Sequence, residues 1–458
     1  MSTVVCVGGG IVGVYAALQM RKSKPGHRIL LVEQDEALGG LLRSDRNDDG
    51  LWYDRGTHIL SETGIADIDD ALFSELPDNS WHRMGGSRRD LCGLLFDNYV
   101  EERSPFLNAS SVKSAYRRDS ALGSGANAGN LQEYLVTRHG HELTECLFRK
   151  PIANLYRHGL QELDPFVARQ LPLSRIVRDD IANWLKQSTD AAYRDWVACP
   201  EQTELPQDFA SPLRSIYPRR MGVGQLFDVL TRRLRDADIE IRTSSTIANL
   251  DRADNGTVSV AMLKSNGGPN ETVSGKLTIV WAASMMPLTN LLGLQTPNGA
   301  IRRDWSPLII DFRAELSRPL KCYYYIDYGQ GDGFRLTNYS AMCDEAAQQS
   351  LAPLTFEVWW RAPDPTREKV LDFVRQRLHE VGRLSGNGRI ESLRIRHSKQ
   401  GHLLPTHENM DWLRRLAAGV KVSAPRNMIS VGLLSKSGLF FTGDLLKNAH
   451  TEIAAGID

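Results

Sequence analysis

Apolar residues fall along this 458-residue chain in runs whose period changes from one stretch to the next. Thr3-Val4-Val5-Cys6-Val7 is unbroken, as in a central parallel strand covered on both faces. A glycine cluster and an apolar helical run through Leu18 follow, and Arg28-Ile29-Leu30-Leu31-Val32 predicts a second such strand. Residues 81–129 read as loop-rich, with a Gly/Ser/Ala/Asn stretch at 123–130. Asn130 is placed to cap a helix carrying Leu131, Tyr134 and Leu135, and Phe148-Arg149-Lys150-Pro151 punctuates a helical region reaching about Asp195. Leu226, Leu230 and Leu234 share a helix face, Ile239 and Ile241 alternate as a strand, a hairpin turns at Asn266-Gly267-Gly268, and 277–283 reads as a core strand. Residues 308–312, 322–326, 334–337 and 355–360 predict an antiparallel sheet. A helix bearing Val370, Phe373, Val374, Leu378 and Val381 follows, with Asp364 as cap and Pro365 first.

A chain this long fills a large core and predicts two domains. Lys+Arg and Asp+Glu both total 55, so no basic excess points to nucleic acid or an anionic membrane surface. Six scattered cysteines without C-x-x-C or zinc spacing fit a reducing cytoplasm and argue against a metal cluster. No apolar run reaches membrane-spanning length and no signal sequence precedes the first strand, so a soluble cytoplasmic protein is expected.

The glycine cluster carries the first chemistry. Gly8-Gly9-Gly10-Ile11-Val12-Gly13 sits between the first strand and the first helix, and Glu33 ends the second strand, 20 residues past Gly13. In a dinucleotide site Gly8 makes the tight turn and Gly10 lets the backbone approach a pyrophosphate. Gly13 lets the helix pack on the strand, and the glutamate accepts both hydroxyls of the adenosine ribose. The helix that opens there aims uncapped N–H groups and a positive dipole end at the phosphates. The stretch Leu38-Gly39-Gly40-Leu41-Leu42-Arg43 then suits a loop folded back over a cofactor, with Arg43 placed to meet a phosphate.

These motifs, with Tyr53-Asp54-Arg55-Gly56-Thr57-His58 and the distant Ser437-Gly438-Leu439-Phe440-Phe441-Thr442-Gly443-Asp444, resemble one flavoprotein superfamily. Its members include FAD-dependent amine oxidases, protoporphyrinogen oxidases, phytoene desaturases and UDP-galactopyranose mutases. The resemblance implies an α/β fold, a Rossmann-like FAD-binding unit of the GR2 type with an inserted α+β substrate unit of antiparallel sheet and helices. The division expected is 1–75, 212–305 and 426–458 for FAD, with 76–211 and 306–425 for substrate. It further implies that FAD is held by Gly8, Gly10, Ile11, Val12, Gly13, Glu33, Gln34, Gly40, Leu41, Arg43, Gly56, Thr57, His58, Ile247, Gly443, Asp444 and Thr451. Thr246-Ile247 would grip the adenine, 437–444 would form a closing strand, and a last helix would begin near Lys447 under the flavin ring.

In such a protein the flavin supplies the redox chemistry and side chains supply orientation and electrostatics. His58 is the candidate catalytic residue, placed to hydrogen-bond the ring or a substrate hydroxyl or to take a proton. His450 is a second candidate near the last helix, whereas His139, His141, His402 and His407 read as solvated. Arg149, Arg175, Arg219, Arg220, Arg335 and Arg361 fall in segments expected to face the cavity, and guanidinium forks suit phosphates and carboxylates. Of these Arg175, Arg220 and Arg335, with Tyr324, are the substrate-binding candidates. The leading reading is an FAD-dependent oxidoreductase passing a hydride from a small, anionic or nucleotide-linked substrate to the flavin. One alternative is a mutase-like sugar-nucleotide isomerase; another is a cofactor-free binding protein like the GDP-dissociation inhibitors. Gly432-Leu433 stands where mutases and several oxidases carry Gly-Arg, which counts against a direct mutase assignment.

Overall fold

A computed structural model describes residues 2–84, 100–101, 125–171, 173, 175–177, 179–199, 213–265, 268–294, 306–317, 323–326, 334–360, 365–380, 388–397, 404–432, 439 and 441–456. The expected turn at Asn266-Gly267, together with Cys322, Asp364, Val381, Arg361 and His402, lies outside these residues.

The unbroken apolar runs form a five-stranded parallel sheet. In spatial order its strands are Ile239–Arg242, Arg28–Val32, Thr3–Val7, Leu277–Trp281 and Met428–Ser430. Alternation sorts each run into two cores. Val4, Cys6, Ile29 and Leu31 meet Tyr15, Ala16 and Met20 of the helix Ile11–Ser23. Val5, Val7, Leu30 and Val32 face instead an antiparallel sheet of Ser245–Arg252, Val258–Ser265 and Glu271–Ser274. Both parities are therefore apolar because both faces are covered. The last helix, Thr442–Gly456, packs beside the first, so the two ends of the chain share one core through Leu446, Ala449 and Ile453. It begins at Thr442 rather than near Lys447, and Thr442-Gly443-Asp444 is its first turn rather than the end of a strand. The edge strand beside Leu277–Trp281 is Met428–Ser430.

A second sheet is antiparallel, in the order Tyr323–Ile326, Phe334–Asn338, Ala352–Trp360, Ser306–Ala314 and Ile390–His397. One face is apolar: Leu308, Ile310, Phe312, Leu336, Phe356 and Val358 pack on Val370, Val374 and Leu378. The helix supplying those three spans Arg367–Glu380, so Pro365 precedes it instead of opening it. The alternate positions bring Arg335, Thr337, Thr355, Glu357, Asp311 and Arg396 to the opposite face, which meets the loop after Trp52–Asp54. A further core gathers Leu131, Leu135, Phe148, Ile152, Leu163 and Leu173 of the helical stretch. Asn130 caps its first helix by accepting the Glu133 N–H at 2.8 Å. The break at Phe148–Pro151 is a π-helical turn, Thr144–Arg149, that leads into Lys150–Tyr156. Trp81–Met84 pairs with Ser215–Pro218, which also pairs with Leu60–Ser61.

Candidate functional site

The glycine loop has three distinct steric demands. Gly8 has φ +105°, and a Cβ on it would lie 2.9 Å from the Ala283 nitrogen. A Cβ on Gly13 would stand 1.7 Å from the Gly8 carbonyl oxygen, so only glycine lets the helix approach the loop. Gly10 differs from both. Its φ is an ordinary −71° and a Cβ there would meet nothing within 4 Å. Gly10 therefore borders an open space at the helix N-terminus, whose N–H groups have no side-chain cap. The turn Gly40–Leu42 closes the other side. Gly39 donates to the Gly9 carbonyl at 2.9 Å, and a Cβ on Gly40 would lie 3.5 Å from the Gly10 Cα. Leu41 is exposed on this turn, and Ile11 and Val12 follow on the helix, buried and half-buried.

Glu33 stands at the tip of its strand, nearly buried. One carboxylate oxygen accepts the Gly9 N–H at 2.5 Å and the other accepts the Asp35 N–H at 2.8 Å. The neighbouring strand is tied to the same place. Ser245 donates to the Glu33 carbonyl and Ser244 to that of Asp35, which sets Thr246-Ile247 beside Glu33 and the exposed Gln34. Ile247 is buried opposite Leu263, at the start of a register irregularity. Arg43 is half-buried 3.6 Å from both Asp35 and Glu36.

Residues 56–58 dock onto the polar face of the second sheet. The Thr57 N–H donates to Glu357 at 2.9 Å, and the Thr57 hydroxyl pairs with that of Thr337. Arg335 grips Glu357 through two bonds of 2.7 and 2.6 Å. Gly56, at φ +122°, lies so close that a Cβ would come within 3.0 Å of the Glu357 carboxylate. The ion pair with Arg335 leads the effects that hold the Glu357 carboxyl below its usual range, against burial, which is the largest influence and acts upward. Burial depresses the His58 imidazole to about 4, so the ring is neutral at pH 7. The ring bonds the Arg55 backbone, while Nε2 is buried without a hydrogen-bond partner. Nδ1 is thus the N–H that the Arg55 carbonyl receives, and Nε2 carries the free lone pair.

The other expected residues divide. Gly443 borders open space in the first turn of the last helix, and Asp444 pairs with Arg169 at 3.4 Å. Thr451 is exposed and its hydroxyl donates back to the Lys447 carbonyl within that helix. His450 lies well inside the helix, 2.6 Å from the Tyr15 hydroxyl, where it fastens the last helix to the first. Arg175, in the helical stretch, donates to the Arg194 carbonyl at 3.5 Å. Arg149 pairs with Glu145, Arg219 with Asp344, and the largely exposed Arg220 lies 4.0 Å from Glu345. Tyr324 lies opposite Leu336 in the second sheet. His139 is a correction: it is buried, not solvated. It meets the Leu173 carbonyl through Nε2, accepts the Trp196 indole N–H at Nδ1 and stacks on Phe148. His141 is exposed beside Glu145, and the half-buried His407 meets the Gln161 carbonyl at 3.1 Å.

Glu357 and Arg396 were missed from sequence. A signal existed: between Phe356 and Val358, which face the core, Glu357 must face the other way. A hollow of about 520 Å³ lined by Glu62, Asp69, Arg83 and Arg214 lies elsewhere and includes none of the expected site residues. Among the described residues, no group of three or more His, Cys, Asp or Glu side chains is placed to hold a metal ion. Nor is any of their helices long and apolar enough to cross a membrane.

Residues 6–75 match the model of the NAD(P)-binding Rossmann-like domain. The whole chain shares its fold with a reduced UDP-galactopyranose mutase, at TM-score 0.64 and 16% identity, covering 100% of this chain and 94% of that one. It does so equally with a provisional protoporphyrinogen oxidase from Exiguobacterium sp. 255-15, at TM-score 0.61 and 18% identity over 100% and 98% of the two chains. An oxidoreductase from Methanosarcina mazei follows at 0.57 and 12% identity, over 99% and 100%. No curated protein matches the sequence.

Proposed function

We propose that this chain is an FAD-dependent oxidoreductase acting on a small polar substrate. Residues 1–75, 212–305 and 426–458 hold the dinucleotide, and the second sheet and the helical stretch shape the chamber. The observation that carries this reading is the open space into which a Gly10 side chain would point. Neither backbone strain nor packing calls for glycine at position 10, so its missing side chain is explained by something that occupies the space beside it. A pyrophosphate against an uncapped helix N-terminus fits that space, with Arg43 beside it. Glu33 is held by two backbone N–H groups and keeps lone pairs for ribose hydroxyls, and Thr246-Ile247 stands at the adenine end. When bound, the isoalloxazine is a two-electron acceptor that takes a hydride from the substrate.

The chain's own contribution is proton handling and orientation. Neutral His58 keeps an unpaired lone pair on Nε2, closed to solvent in this structure, which would accept a substrate N–H or O–H proton where the bound substrate displaces the atoms that cover it. Glu357 fixes the loop through the Thr57 N–H and neutralises Arg335. With that charge already paired, the second-sheet floor favours a neutral hydrogen-bond donor over an anion; Arg175 and Arg220 remain the candidates for an anionic substituent.

The visible spectrum of the purified protein tests the reading. Flavin bands, or their appearance with quenched fluorescence on titrating FAD, are the expected result. A colourless protein that rejects FAD refutes it and favours a cofactor-free binding role. Nucleotide sugars and then amines are the ligands to try for bleaching the bands. Turnover only after reduction by dithionite, with no net redox change, would replace the oxidoreductase by a mutase-like isomerase.

A further inference from the structure

Resting on the cofactor reading above, we infer that Ser44 and the buried carboxylate of Asp54 form a clamp that positions the Gly39–Arg43 turn against Gly10 and thereby sets the affinity for the dinucleotide. Asp54 is wholly buried. One of its oxygens accepts the Ser44 hydroxyl and the Val223 N–H, both at 2.7 Å; the other accepts the Tyr217 hydroxyl at 2.7 Å. Ser44 follows directly on the turn, and its oxygen also accepts the Gly224 N–H at 2.9 Å. A Cβ on Gly224 would come within 2.9 Å of the Ser44 nitrogen, and one on Gly39 within 3.2 Å of the Phe227 ring. The turn is therefore wedged between the Gly222–Phe227 segment and the glycine loop, and Asp54 joins the two sides of the wedge. The groups around Asp54 are Tyr217, Tyr339, Cys343 and Arg396, whose guanidinium donates to the Asp54 carbonyl.

This arrangement separates positioning from general support. Ser44 links Asp54 to the cofactor turn, whereas Tyr217 links the same carboxylate to the antiparallel sheet Leu60–Ser61, Ser215–Pro218 and Trp81–Met84. Both hydroxyls bond one buried group, so their removal should cost comparable stability.

The experiment compares Ser44→Ala and Tyr217→Phe with the wild type, reading the FAD dissociation constant by fluorescence quenching and the urea midpoint of each apoprotein. Ser44→Ala is expected to raise the FAD dissociation constant about tenfold, the equivalent of one hydrogen bond, while Tyr217→Phe leaves it within about twofold at a similar loss of stability. Wild-type affinity in Ser44→Ala overturns the clamp. So does an equal rise in both variants, which marks Asp54 as a fold residue only. A wild type that takes up no FAD overturns the cofactor reading and the clamp together, so the two failures are distinguishable.

Discussion

Replacing Gly10 by alanine separates what the fold needs from what the cofactor needs. The new methyl group meets no atom within 4 Å, and φ at Gly10, −71°, suits any residue. Such a substitution chiefly lowers the entropy of the unfolded chain, so the apoprotein should gain about 0.5 kcal/mol or stay unchanged. The same methyl group enters the space assigned to the pyrophosphate, where close backbone approach is the reason for glycine. Losing that approach and the N–H bonds it allows should cost about 3 kcal/mol of binding, or about a hundredfold in the FAD dissociation constant. Urea unfolding of apoprotein and FAD titration of the same samples give the two numbers. Unchanged stability with wild-type FAD affinity would show that no ligand lies against Gly10. A clear loss of apoprotein stability would show that the gap is not open in solution.

Gly13→Ala makes the opposite case: its Cβ would collide with the Gly8 carbonyl, and a loss of about 3 kcal/mol in urea unfolding is expected even without ligand. Glu33→Gln weakens charge-assisted bonds to Gly9 and Asp35 as well as to ribose, and calorimetry should show FAD binding about thirtyfold weaker. Burial depresses His139 from 6.5 to about 4, so between those values the unfolded chain binds a proton that the folded one refuses. Its contribution to stability therefore falls on acidification, by about 3 kcal/mol from pH 7 to pH 4. The stability advantage of wild type over His139→Gln should shrink by that much across the range; a gap independent of pH would disprove the buried neutral ring. Asp54 acts in the reverse sense. Burial pushes its carboxyl from 3.8 to about 6, so the folded state holds a proton that the unfolded state has released, and this contribution to stability is lost as pH rises through 6.

What the sequence showed was whatever a local period encodes. Strands covered on both faces announce themselves by runs such as Val4–Val7, and the glycines, Glu33 and the folded-back Gly39-Gly40 turn sit within one short stretch. Contacts between distant segments have no local period. Thr57 meets Glu357 across 300 positions, and Asp54 meets Val223 across 169. The polar neighbours Arg138 and His141 suggest a solvated His139, but Arg138 is itself buried, held by Asp195, so polarity of the neighbourhood does not report exposure here. The last helix was placed too late because Thr442-Gly443-Asp444 reads as the end of a strand; its packing on the first helix decides otherwise.

Arg396 is one of the groups that fasten the polar face of the second sheet to the Ser44–Arg46 and Trp52–Asp54 hairpin. Its guanidinium donates to Asp45 at 2.8 Å and to the Asp54 carbonyl at 2.8 Å, and it lies 2.7 Å from both oxygens of the fully buried Asp311. Buried ion pairs are often no more stabilising than apolar residues of similar volume, yet breaking one costs about 3–5 kcal/mol by stranding the partner. Arg396→Met should thus lose about 3–5 kcal/mol in urea unfolding, and adding Asp311→Leu should recover most of it. The double variant nevertheless lacks the bonds that tie the sheet to Asp45 and Asp54, the hairpin beside the Gly39–Arg43 turn. Its FAD affinity should therefore remain below that of the wild type after stability has returned. Full recovery of both would mean that apolar packing alone aligns the floor with the cofactor turn, and that the Arg396 bonds contribute nothing to binding.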